Sequence, residues 1–329
     1  VAQSRASALG VLPGVFAQEA ALVVCGEFPN ALFLPLLPKR GPGADPVGRT
    51  AALLSRISGD FSVSAVPTGW QISRTPGIDM QRADTYLRQD LDAIEEHGQG
   101  YSGHFTASVV GPVTWCASVE SASGEKLIRD PGALAEVGDI LAEAVREHIS
   151  HVQRIFPAAC VSLVVEEPMA AAACTGEIPT ASGLNSYVHI DRARIFRAWE
   201  PFIQVVKNSQ AKFGVALSDP EEVFAESLMK ADASIFFQSE TNKLLGEQLD
   251  AGKLVFWQVP LTGSPREHAL DIAQRITSLG FSLSYVTGSL VVVPSPQLLA
   301  NSWPLARAAI GAVKEVVDLL NDEDRLLGE

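Results

Sequence analysis

Cysteine is scarce: four in 329 residues, at Cys25, Cys116, Cys160 and Cys174, with no C-x-x-C pair among them. That scatter excludes a disulfide framework and a cysteine-rich zinc module, and it suits free thiols in a reducing, cytoplasmic setting. Basic residues are few. The 25 Lys and Arg stand against 38 Asp and Glu, a net charge of −13, and the longest basic run is Lys39-Arg40. A phosphate-backbone partner needs a basic footprint, so no nucleic-acid partner is expected. Long hydrophobic runs are missing as well. None approaches the ~18 residues of a membrane helix, so no membrane partner is expected.

Apolar residues, by contrast, make up 47% of the chain, enough for one large α/β barrel or two smaller domains. Eight short apolar runs punctuate it, at 6–12, 61–66, 104–110, 161–166, 212–217, 233–238, 253–259 and 289–295. Most are continuous rather than alternating, the pattern of parallel strands covered on both faces. Helical stretches lie between them. Asp130-Pro131 precedes Leu134, Val137, Leu141, Ala144, Val145 and Ile149 at helical-face spacing. Asp219-Pro220-Glu221-Glu222 and Ser264-Pro265-Arg266-Glu267 each supply a cap, a proline in the first turn and an acid three residues on. Eight strands, each followed by a helix, predict a single (β/α)8 TIM barrel over residues 1–329. Residues 28–60, with the turn-rich GPGADPVG, are expected as an insertion after the first helix, with GRTAALLSRIS as a short extra helix.

Chemistry in such a barrel gathers at the C-terminal ends of its strands. One of these is VSLVVEEP, a buried run that stops in Glu166-Glu167-Pro168. Consecutive strand residues point to opposite faces, so one carboxylate is expected at the mouth and the other against the helix layer or a loop. A carboxylate at the mouth accepts from an ammonium group or binds a metal. In the structural reading both cap loop amides or pair with Arg192 or Arg194. Arg49 also has two readings, a bidentate fork on a substrate carboxylate or a partner for Asp45 that anchors the insertion. Thr114 after the third strand, Gln238 after the sixth and Gln297 after the last complete the candidate substrate-binding set; no residue is assigned a catalytic role. With Gln258 the glutamines describe a polar mouth of little charge. Trp70 reads either as a rim residue stacking on a flat ligand or as packing. His97, His148 and His151 fall on helices, where solvated faces are expected.

Taken in order, PLLPKRGPGADPVGRTAALL, VVGPVT and VVEEP, followed by the loop GEIPTASGL, resemble the cobalamin-independent methionine synthase family, in its short, single-barrel actinobacterial form. The resemblance spans about residues 9 to 310. It implies a barrel related to that of uroporphyrinogen decarboxylase and a place in methionine biosynthesis. The implied reaction is methyl transfer from a folate-type donor to the thiol of homocysteine, held as thiolate by zinc. The acid that binds the substrate amino group falls on Glu166, where the family more often has Asp. The zinc ligands do not carry over. Where the family has His-x-Cys after the fifth strand, a Glu at the sixth and a Cys near the last, this chain has Val215, Ala216 and Leu217, then Phe237 or Gln238, then Gln297. Zinc requires Cys, His or carboxylate donors at about 2.0–2.3 Å, so no metal cofactor is expected. Cys116 and Cys174 lack ligand spacing and read as small apolar residues.

Three functions follow from these residues. The first is a methyltransferase-like barrel acting on a homocysteine-type thiol without the family zinc. The second is a non-catalytic barrel that binds a small ligand, an amino acid or a folate-like molecule, or regulates. The third is metal-free, uroporphyrinogen-decarboxylase-like chemistry, which needs arginines at the mouth.

Overall fold

The computed structural model describes residues 3–217, 232–237, 243–260 and 262–327. Eleven strands are found among them: β1 (Arg5–Ala6), β2 (Ala31–Phe33), β3 (Val63–Val66), β4 (Gly69–Ile72), β5 (His104–Val110), β6 (Val119–Glu120), β7 (Cys160–Glu167), β8 (Lys212–Leu217), β9 (Ala233–Phe237), β10 (Leu254–Val259) and β11 (Leu290–Pro294). Eight of them form one parallel sheet in the order β1-β11-β10-β9-β8-β7-β5-β2. Its two edges meet just beyond β1 and β2. There the Leu36 N–H donates to the Gly10 carbonyl at 2.7 Å and the Leu12 N–H to the Leu36 carbonyl at 2.9 Å. A ring of eight parallel strands with helices outside it is a (β/α)8 barrel. Gly10 has φ +93° at this seam, where a Cβ would lie 3.4 Å from the Leu34 carbonyl oxygen. Only glycine takes that conformation without strain.

The second strand of the barrel differs from expectation. Residues 31–33 occupy that place, within the stretch read as an insertion, while β3 pairs antiparallel with β4 in a small sheet completed by β6. The segment ALF is too short to carry a periodic signal, whereas 61–66 alternates well enough to read as a barrel strand. The helix expected in GRTAALLSRIS exists as α2 (Pro46–Ile57), begun by Asp45, whose carboxylate accepts from the Gly48 N–H at 2.9 Å. It follows α1 (Ala17–Glu27) and precedes α3 (Ile78–His97).

Two further expectations hold. Helix α5 (Ala133–Ile155), which follows α4 (Pro112–Ser118), buries the whole stripe from Leu134 to Ile149. Ser264 opens helix Pro265–Ser278 with a reciprocal capping box to Glu267. The Asp219 cap lies outside the described residues.

Alternation along the strands divides the core in two. Val164, Leu254, Phe256, Val291 and Val293, with Leu9 and Ala216, fill the barrel interior. The opposite face of the same strands (Val165, Val215, Val255, Trp257, Val292) packs with the helices in a larger cluster. Trp257 therefore belongs to the wall and Phe256 to the interior. Among the described residues no helix is long and apolar enough to cross a membrane.

Candidate ligand site at the barrel mouth

Strand β7 delivers its two terminal carboxylates to different compartments. Glu166 continues the inward series of Ser162 and Val164, flanked in register by Val110 of β5 and Ala216 of β8. It is partly exposed at the C-terminal end of the barrel, and the Ser108 hydroxyl hydrogen-bonds its carboxylate. Burial raises its pKa above the usual glutamate value, against the Ser108 hydrogen bond and the positive charge of Arg49.

Glu167 points the other way and is 0% exposed. Its Oε1 accepts from the Val113 N–H at 3.0 Å and the Trp199 indole N–H at 2.9 Å, and its Oε2 from the Thr114 N–H at 2.7 Å. Thr114 also bonds it through its hydroxyl, whose oxygen in turn accepts from the Met169 N–H at 3.1 Å. Glu167 thus satisfies the first N–H groups of α4, which have no partner within that helix, and ties it to the helix Arg192–Asn208. Burial raises its pKa while these donors oppose the shift. Glycine at Gly111 is required for this arrangement, because a Cβ there would stand 2.3 Å from Glu167 Oε1. Thr114 is 5% exposed inside the same network. Neither Glu167 nor Thr114 faces the mouth.

Arg49 is also committed. One of its terminal nitrogens donates to the Pro35 carbonyl at 2.7 Å and pairs with Asp90, which is 0% exposed. Arg40 grips both oxygens of the same carboxylate at 2.7 and 2.6 Å, with its guanidinium over the Tyr86 ring. Two buried arginines thus share one buried aspartate. Asp45, the expected partner of Arg49, caps α2 and accepts from the Trp70 indole at 3.1 Å, so Trp70 is a packing residue of the wall.

Across the mouth, two of the three glutamines read as strand-end residues are described. Gln297 is exposed and accepts from the Ser295 hydroxyl. Gln258 faces the interior with an unpartnered, buried Oε1. Gln238 lies outside the described residues. Of the six candidate residues, then, Glu166 alone among those described lines the interior at a strand end, with Arg49 acting through its charge.

The donor set does not fit the zinc of the resembled family at the described strand ends. Strand β8 ends in Ala216 and Leu217, and β11 runs through Pro294 into Ser295. Cys116 is fully buried with its thiol pKa pushed up, above all by burial. No group of three or more His, Cys, Asp and Glu converges among the described residues. The sequence reading missed Ser108, Arg40, Asp90 and Trp199. Asp90 carried a signal: it stands on the apolar stripe Leu87-Asp90-Leu91-Ile94, where an unpaired carboxylate is not tolerated.

No family model and no curated protein matches the sequence. Solved structures do match the fold. A B12-independent methionine synthase from Shewanella sp. W3-18-1, in complex with selenomethionine, aligns over 100% of both chains with a TM-score of 0.59 and 11% identity. A methyltransferase from Methanosarcina mazei aligns over 98% of this chain and 94% of its own, with a TM-score of 0.56 and 11% identity. At that identity the likeness is one of fold, and the chain is a (β/α)8 barrel of the architecture those two proteins share.

Proposed function

We propose that the barrel mouth binds a small sulfur-containing amino acid, with Glu166 accepting from its ammonium group, in a methyltransferase-like barrel that does not use zinc. The observation that carries this reading is the division at the end of β7: Glu167 is consumed by the wall, and Glu166 is left inward and partly exposed. The fold likeness to a methionine synthase holding selenomethionine supports the ligand class. A desolvated carboxylate discriminates strongly for a cation, because an unpaired charge in that position is costly. Methyl transfer from a folate-type donor is the second reading, favoured by the same fold likeness. It requires some group to hold the thiol as thiolate, which Ala216, Leu217 and Ser295 do not do.

Calorimetric titration of methionine and homocysteine into the wild type and Glu166→Gln tests the proposal. Binding at least about tenfold weaker in the variant, a loss of about 1.4 kcal/mol, is expected. Equal affinity in both proteins, or no binding of either amino acid, overturns it. Elemental analysis of the dialysed protein addresses the metal, and about one zinc per chain would sink the zinc-free part.

A further inference from the structure

A polar concavity lies on the outer layer of the barrel, between α2 and α5. It has a volume of about 290 Å³, with Leu53 and His148 in its floor and Arg56, Arg146, His151 and Arg154 around it. In a chain of net charge −13, three guanidinium groups and two imidazoles on one small groove are a local inversion of sign. The spacing of α5 creates it: residues 147, 151 and 154 recur on one face, and 148 turns inward beneath them.

His148 is the informative member. It is 4% exposed, its side chain makes no hydrogen bond to any described residue, and its ring lines the groove. Its pKa is lowered to about 3, first by burial and then by Arg49, His151 and Arg56. The ring is therefore neutral and has one N–H to donate. Arg154 is exposed and has no carboxylate partner among the described residues. The other two arginines hold exposed ion pairs: Arg56 with Asp84 at 2.5 Å, and Arg146 with Glu143 through Nε at 3.0 Å. Exposed pairs of that kind are worth about 0–1 kcal/mol, so both forks can turn to a better anion at little cost. Glu147 is the one acid in the lining, and Asp92 and Glu95 of α3 stand near enough to act on His151.

From this geometry we infer that the groove is a binding site for a small phosphate-like dianion, free or at the end of a larger molecule, distinct from the barrel mouth. Arg154 supplies the open fork, His148 and His151 supply ring N–H donors, and Arg56 and Arg146 close from the rim. The site lies in the helix layer, so it is independent of the ligand proposed for Glu166.

The test follows the imidazole NMR signals of His148 and His151 during titration with inorganic phosphate and, separately, methyl phosphate, each against sodium chloride of matched ionic strength. Saturable shifts of both rings are expected, with affinity at least about tenfold lower in Arg154→Gln, an exposed change that leaves the fold intact. Response to phosphate alone marks a free-ion site; response to both anions marks a site for a phosphate monoester. Either supports the inference. Shifts no larger than those in chloride, or identical titrations in the wild type and Arg154→Gln, overturn it.

Discussion

Glu166 and Glu167 are chemically identical neighbours separated by the thickness of one strand, and they live in different worlds. On the helix side, Glu167 accepts three N–H groups and a hydroxyl and has no exposed surface. On the interior side, Glu166 has Ser108 as its hydrogen-bond partner, keeps some exposure and sits above a plug of Val164, Phe256 and Val293. Other charged groups of the wall resemble Glu167. The barrel's helix-facing polar groups (Asp90, Arg40, Arg49, Thr114, Glu167) are paired with one another and hold the wall together. At the interior-facing end of β10, Gln258 keeps an Oε1 without a partner among the described residues. Charged groups packed between sheet and helices need counter-charges or donors within the fold, whereas those at a mouth can wait for a ligand.

The sharpest way to break this comparison is Asp90→Ala, which leaves Arg40 and Arg49 buried together without a counter-ion. It is expected to destabilise by about 3–5 kcal/mol in denaturant unfolding. Next comes the pair at β7. Glu167→Ala strands the donors of Val113, Thr114 and Trp199 and is expected to cost about 3 kcal/mol, while Glu166→Gln changes stability by less than about 1 kcal/mol. Equal costs for the two would erase the distinction between wall and mouth.

The pH dependence sharpens it further. His148 has a folded pKa of about 3 against an ordinary 6.5. The folded ring stays neutral where the unfolded chain takes up a proton, so its contribution to stability is complete above about pH 6.5 and is lost as pH falls toward 3. The loss amounts to a few kcal/mol. Denaturation midpoints measured across that window should fall, and His148→Gln should flatten the fall. Glu166 has the opposite shift, so affinity for an ammonium ligand should weaken on acidification at a pH above the ordinary glutamate value. The smallest loss among the wall and helix-layer changes is expected at Ser264→Ala, which removes one half of a capping box on an exposed helix end, for about 1 kcal/mol by thermal unfolding.

Much of this architecture is legible along the chain. Strands β5, β7, β8, β10 and β11 stand where continuous apolar runs are bounded by turns, because doubly covered strands need no polar face. The period of two also decides that Glu166 and Glu167 part company. It does not decide which partners await them. Trp199 lies 32 residues from Glu167 and Thr114 lies 53, and no local pattern links residues so far apart. Strand β2 was hidden for a related reason: three residues hold too little periodicity, and parallel pairing with β5 fixes them as a strand.

Sequence alone determined the barrel class, the acidic surface, the strand whose end carries two carboxylates, and the absence of zinc donors at the described end of β8. Tertiary structure alone decided that Arg49 belongs to Asp90 rather than to Asp45, that Trp70 belongs to the wall, and that His148 lies in the floor of a groove rather than in solvent. Periodicity fixes the face a side chain takes, because backbone geometry is local. What that face meets depends on how distant elements pack, and burial, charge pairing and pKa follow from the packing.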